Sequence, residues 1–246
     1  MPSRGLYNWL HENYDRLIQW PDRLQRELPG LMLWLPEPEA GAVLDLGCGT
    51  GGHMAALLER GYKVHGIDLS EKLIQVAKEK LSSWNPPLEV GDIVDGVPKN
   101  WKKFSVQLCL GNTLSHLSAQ QAITFAQNSY QRAKEDGILI IENRNWDRLL
   151  TVKERLLKPV QTDDSIYIRM LDYPPIDGNP VVMTVALWQK GKWQTSSVDL
   201  WPHRAKELNT IFQNAGWTLD RACANLLGQP FDGATATDWV AIWRRA

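Results

Sequence analysis

Side chains able to do chemistry recur along one stretch of the chain: Asp45, Asp68, Asp92, Asn112, His116 and Arg144. Asp45 opens the densest segment, VLDLGCGTGGH from Val43 to His53, in which Gly47, Gly49 and Gly51 alternate with Cys48 and Thr50. Glycines there let the turn be tight and bring a ligand against bare backbone. Asp68, in VHGIDLS, falls at the tip of the next apolar run, where a carboxylate accepts hydrogen bonds from a ribose diol. Strand, glycine turn, helix, strand and terminal acid together form a dinucleotide- or nucleoside-binding unit.

The acid inside the strand end narrows the ligand. Gly47, Gly49 and Gly52 satisfy the G-x-G-x-x-G spacing of a nicotinamide site. Asp45, two residues ahead of the first glycine, would repel a pyrophosphate and attract a cationic sulfonium bearing an α-amino group. The turn D-L-G-C-G-T-G resembles that of class I S-adenosylmethionine (SAM) methyltransferases, which implies SAM as cofactor and S-adenosyl-L-homocysteine as product. Cys48 then serves as a small residue of the turn.

These residues need a scaffold that aligns strand ends. The apolar periodicity predicts strands near 42–46, 63–67, 87–91, 104–110 and 137–142, with helices at about 52–60, 70–82 and 119–135 between them. Ser70 ahead of Leu73 and Ile74 reads as a helix N-cap. Such alternation predicts an α/β fold with a doubly wound, mostly parallel, seven-stranded Rossmann-like sheet, and ligands in such sheets bind beyond the carboxyl ends of the strands. Asp92 and Ile93, at the third strand end, would face an adenine; Gly91-Asp92 reads equally as turn chemistry. Leu69 and Leu110, beside Asp68 and at the fourth strand end, complete the expected cofactor wall. From 151 to 200 the pattern becomes antiparallel: SIYIRML, PVVMTVALW and KWQTSSVDLW read as strands, with a hairpin at Gln189–Lys192. The expected organisation is a helical cover over residues 1–36, a core of 37–150 and 201–246, and an antiparallel β lid of 151–200.

Composition fits a small-molecule enzyme. With 27 basic and 28 acidic residues the net charge is -1, so no basic surface suggests nucleic acid. No run of 18 apolar residues and no charged-then-apolar leader occurs, which reads as cytoplasmic with no membrane contact. Three scattered cysteines give neither a disulfide framework nor a metal site. Oligomeric state is not readable.

Beyond the glycine turn, Leu-Gly-Asn-Thr-Leu-Ser-His-Leu after the fourth strand resembles the L-G-N-S-x-x-H-L motif of glycine and glycine/sarcosine N-methyltransferases. DGILIIENRNWDRLL is similar to that family's G-x-L-x-I-D-x-R-N-Y-D-x-I-L, LWPHRAKELNTIFQNAGW to its Y-P-H segment, and YDRLIQWPDR to its W-D-x-L-I-D-W-x-x-R. The resemblance implies that Arg144 holds a substrate carboxylate, for which a planar guanidinium is suited. Asn112 contacts the substrate and its side-chain oxygen could orient the amine; Tyr167 matches a lid tyrosine. Tyr14, Trp20 and Arg23 correspond to the cover over the cofactor, where Arg23 would pair with the cofactor carboxylate or remain a helix charge. His116 matches a histidine near the cofactor's methionine end and reads equally as structural. His53 and His65 read as structural. The resemblance implies glycine, sarcosine or a related small amino acid as substrate; Trp201 in place of a tyrosine, and Met183 where a lid tyrosine is common, are departures that can redirect specificity. The open alternatives are another small-metabolite acceptor, through a hydroxyl or carboxyl group, and a SAM-binding protein without turnover.

Overall fold

The computed structural model describes residues 2–176 and 178–245. Three helices lead: α1 (Pro2–Leu10), α2 (Tyr14–Ile18) and α3 (Trp20–Met32). The core follows as β1 (Val43–Leu46), α4 (Gly52–Leu58), β2 (Val64–Asp68), α5 (Glu71–Lys80), β3 (Leu88–Val90), β4 (Phe104–Cys109), α6 (Ala119–Arg132), β5 (Ala133–Arg144) and α7 (Trp146–Val152). Next come β6 (Val160–Gln161), β7 (Ser165–Asp172), β8 (Val181–Gln189) and β9 (Lys192–Leu200), and the chain closes with α8 (Ala205–Asn214), β10 (Trp217–Cys223) and β11 (Asp238–Arg245).

Seven strands form one sheet in the order β10-β11-β5-β4-β1-β2-β3, parallel apart from β11, which runs against both neighbours. This is the expected α/β architecture. The chain winds outward from β1 to β3 and then returns to β4 on the other side of β1, so the crevice lies between the ends of β1 and β4. Apolar clusters cover both sheet faces, one centred on Phe125, Phe212 and Trp243, the other on Leu31, Leu57 and Ile140. Burial on both faces is why the strand sequences read as near-continuous apolar runs.

The second sheet, β6-β7-β8-β9, is antiparallel throughout. Lys190 and Gly191 both take positive φ (51° and 74°) in the two-residue turn between β8 and β9, the geometry that matches strand twist. Its inner face does not pack alone: Tyr167, Leu171, Val185 and Val198 share one apolar cluster with Leu6, Leu10 and Leu17 of the leading helices and with Trp146 and Leu149 of α7.

Two boundaries differ from the sequence expectation. The leading helical stretch is broken at Gln19, whose left-handed backbone (φ 54°) ends α2, and Pro21 then sits in the first turn of α3 where a missing N–H is harmless. α6 ends at Arg132 rather than near 135, and β5 spans 133–144, so Arg144 is the last residue of the strand itself. Asp136 at φ 57° bends the start of β5, an irregularity that apolar periodicity does not encode.

Candidate functional site

Two adjoining cavities open at the carboxyl ends of the core strands. The larger, about 300 Å³, is walled by Tyr14, Trp20 and Arg23 from the cover, Asp45, Gly47, Cys48 and His53 from the glycine turn, and Asp68, Leu69, Asp92, Ile93, Leu110, His116 and Trp201. The smaller, about 100 Å³, is walled by Asn112, Arg144 and Trp146, by Leu157, Arg169, Leu171, Met183 and Val185 of the lid region, and by Leu6 and Leu10 of α1. Tyr7, Tyr14 and Gly111 belong to both walls, so the two spaces meet there.

The glycine turn is built for close approach. Gly47 has φ 85°, and a Cβ on it would lie 2.6 Å from Thr113. Gly52, which opens α4, faces the Trp20 ring so closely that a Cβ would come within 2.3 Å of it. The Trp20 indole N–H reaches Asp15 Oδ1 (2.9 Å) and Thr50 Oγ1 (3.1 Å), and Lys80 Nζ donates to Asp15 Oδ2 (2.6 Å). The cover is thereby clasped to the turn and to α5.

Asp68 organises the same turn. Its Oδ2 accepts from the Gly49 N–H (2.9 Å) and its Oδ1 from the Ser70 N–H (2.8 Å), which leaves each oxygen a lone pair toward the cavity. Ser70 caps α5 by accepting from the Leu73 N–H (3.2 Å), and its hydroxyl donates to Asn8 of α1 (2.7 Å). Asp92 accepts from the Val94 N–H (2.9 Å), so the turn reading and the cavity reading hold together. Asp45 is only 3 % exposed, and burial pushes its carboxyl up to about 6, with Asp68 adding to the rise and His53 and Arg23 opposing it. A buried acid so disfavoured as an anion is a site for a ligand cation. Burial also pushes the Cys48 thiol far up, consistent with a small wall residue and no nucleophile.

Arg23 is already engaged. Its Nε donates to both oxygens of Glu27 (2.8 and 2.9 Å) and Nη2 to Glu142 Oε2 (3.4 Å), while His53 Nε2 lies 2.8 Å from Glu27. The guanidinium stands 5.3 Å from the Trp20 ring centre. It is thus no solvated helix charge: two protein carboxylates face its Nε and Nη2 in the cavity wall, and a cofactor carboxylate there would share the guanidinium with them. His53, read as structural from sequence, is both part of this network and part of the wall.

His116 Nε2 lies 2.8 Å from the Tyr7 hydroxyl, and its Nδ1 is buried with no partner among the described residues. Burial lowers its pKa to about 4, so the ring is neutral near pH 7. Burial raises the Tyr7 and Tyr14 hydroxyls well above the usual range, so both are neutral donors.

In the small chamber Asn112 takes a left-handed backbone (φ 73°) and its Oδ1 is spoken for. It accepts from the Arg144 N–H (3.1 Å) and lies 2.8 Å from the Ser115 hydroxyl, which in turn accepts from Trp146 Nε1 (2.8 Å). The expectation that this oxygen orients an amine is corrected: it ties the 112 turn to the end of β5. Arg144 Nη1 reaches Asp238 of β11 at 3.2 Å. Tyr167 is corrected as well. Its side chain is 0 % exposed in the lid core and its hydroxyl donates to Asn13 (3.2 Å), outside either wall. Alternation along β7 puts Tyr167, Arg169 and Leu171 on one face, and the chamber lies under the latter two. Tyr7, Arg169 and Glu142 are the residues that sequence reading missed; for Arg169 the signal was its two-residue spacing from Tyr167.

Among the described residues no helix is long and apolar enough to cross a membrane, and no group of three metal-ligating side chains occurs.

Residues 43–137 match a family described as a methyltransferase domain. The chain is 32% identical over 149 residues to a glycine/sarcosine N-methyltransferase of Aphanothece halophytica, covering 56% of this chain and 54% of that protein. It is 28% identical to human glycine N-methyltransferase, covering 44% and 42% respectively. The chain therefore spans about half the length of the curated relatives it matches. In fold it is similar to the crystal structure of a SAM-dependent methyltransferase from Clostridium acetobutylicum, with a TM-score of 0.78 over 98% of this chain and 99% of that one at 16% identity. Residues 43–137 thus match a methyltransferase domain, the fold is shared with a SAM-dependent methyltransferase, and the chain resembles the glycine and glycine/sarcosine N-methyltransferases.

Proposed function

We propose that the chain transfers a methyl group from SAM to the nitrogen of glycine, sarcosine or a related small amino acid. The observation that carries this reading is the second chamber: about 100 Å³, holding the Arg144 guanidinium and adjoining the cofactor-sized cavity at Tyr7, Tyr14 and Gly111. So small a space suits a substrate of a few heavy atoms, and a guanidinium in it suits a carboxylate. Similarity to glycine/sarcosine N-methyltransferases supports the same substrate class.

The residues of the large cavity fit the cofactor on their own chemistry. Asp68, with a lone pair spare on each oxygen, suits a ribose diol; Ile93 and Leu69 suit the apolar faces of an adenine; and buried Asp45 suits the cationic amino-acid end. SAM supplies an electrophilic methyl group. The chain's task is to align and to exclude water, which is positioning catalysis. Arg144 would fix the substrate carboxylate, and Asn112 would fix Arg144 through its main-chain N–H. Tyr7 and Tyr14, neutral and shared by both walls, would line the path between amine and methyl. Among the described residues no carboxylate belongs to the small chamber's wall, so an arriving ammonium has no counter-ion there, and the arginine's positive field favours the neutral, attacking form of the amine.

The test is methyl transfer from labelled SAM to glycine, sarcosine and dimethylglycine, run beside an extract of small metabolites. Label in any of the three amino acids is the expected result. Label only in other metabolites would move the substrate to a different acceptor, and no label at all would leave a SAM-binding protein without turnover.

A further inference from the structure

We propose that Arg169, on lid strand β7, is a substrate-binding residue: with Arg144 it clamps the substrate carboxylate from the opposite wall, and it makes the site select amino carboxylates over amines that lack one. The proposal rests on reading the small chamber as the amino-acid site.

The two arginines reach the same chamber from different elements, and they are not equivalent. Arg144 has its own counter-ion in Asp238 at 3.2 Å. Arg169 forms no ion pair among the described residues. Its one hydrogen bond to them runs from Nη2 to the Lys158 carbonyl (3.2 Å), and its Nε–H is buried without an acceptor. A half-buried guanidinium whose Nε–H is buried and unused carries a cost, and the cost grows when a second cation faces it. Burial, followed by the nearby Arg144, lowers its pKa, and only Tyr7 pulls the other way.

Folding gives no reason to keep such a residue there. Leu171 on the same face of β7 packs into the lid core, and an apolar side chain at 169 would do likewise. The position is also well fixed. The Arg169 carbonyl accepts from the Leu157 N–H (3.0 Å), and the residue pairs with Val185 on β8 inside the sheet, which sets the direction from which its side chain enters the chamber wall. Charge arithmetic then defines the missing partner. With Arg144 balanced by Asp238, one positive charge remains, and one carboxylate neutralises it. A planar carboxylate offers two oxygens, enough for one arginine on each side.

The test uses the whole chain loaded with S-adenosyl-L-homocysteine, with acetate and ethylamine as probes: a carboxylate without an amine and an amine without a carboxylate. Acetate should bind the parent protein more tightly than ethylamine does, and Arg169→Met should weaken acetate at least tenfold while S-adenosyl-L-homocysteine binding stays within twofold. Arg169→Lys should recover part of the acetate affinity, and in turnover the loss should fall on KM for glycine or sarcosine more than on kcat. Unchanged acetate binding in Arg169→Met, beside measurable binding to the parent, would overturn the role of Arg169 and leave the amino-acid reading intact. A parallel loss of S-adenosyl-L-homocysteine affinity would make Arg169 structural and also overturn it. A parent protein that binds no acetate and methylates none of the amino acids would overturn the amino-acid reading, and this proposal with it.

Discussion

Replacing Asp45 by asparagine should stabilise the ligand-free protein and weaken its hold on SAM, and both effects have one cause. Burial moves the carboxyl from its ordinary 3.8 to about 6, so ionising it in the empty site costs the fold about 3 kcal/mol at neutral pH, at about 1.4 kcal/mol per tenfold. The sign follows from linkage. Below about pH 4 Asp45 is protonated whether the chain is folded or not, and the stability is fully present; it is lost as pH rises through about 6. The neutral amide of Asp45→Asn would carry no such penalty, so the variant should match the parent near pH 4 and exceed it by up to about 3 kcal/mol near pH 7.5. Binding reverses the order. A ligand cation beside Asp45 requires the anion, and at pH 5 only about one protein in ten has it, so parent affinity should fall about tenfold between pH 7 and pH 5. Thermal unfolding of the ligand-free proteins and calorimetric titration with SAM at pH 5, 6 and 7 measure both effects. A variant that keeps the tenfold slope, or that is less stable than the parent at pH 7.5, would refute the assignment.

Arg144→Ala should raise KM for the amino acid roughly 10- to 100-fold, the loss of a charge-assisted contact, while SAM affinity measured by calorimetry stays near normal. Asp68→Ala orphans the Gly49 and Ser70 N–H groups and removes the proposed ribose acceptor, so SAM affinity should fall on the order of 100-fold with a lowered Tm. Gly52→Ala drives a methyl into the Trp20 ring; Trp20 should leave the turn, read as a change in tryptophan fluorescence and faster SAM release in stopped flow.

The doubly wound sheet was legible because the central strands β1 and β4 are buried on both faces and β1 to β4 each end at or just before a glycine or an acid. The acids there marked Asp45, Asp68 and Asp92, the end of β5 marked Arg144, and all four border the two cavities. What stayed hidden depends on contacts distant in sequence. Arg23 reads as a partner for the cofactor carboxylate or as a plain helix charge, and the sequence does not show that Glu27 and Glu142, the latter 119 positions away, already hold it. Asn112 reads as a free amide until the Arg144 N–H is found on its oxygen. Tyr167 and Arg169 differ only in which part of one strand face meets the chamber, and alternation alone does not fix that.

The shared cluster of α1, the lid and α7 has a kinetic consequence. The helix that borders the large cavity through Tyr7 also walls the small one through Leu6, Tyr7 and Leu10, so a movement of α1 would widen both together. Cofactor exchange by a movement of α1 would also loosen the wall that confines the amine. Under the proposed reaction, exchange by that route would end each methylation with both products released and make successive methylations of one nitrogen separate encounters. Singly methylated intermediate should then accumulate in free solution, at a level set by competition with the parent amino acid and not by retention within the enzyme.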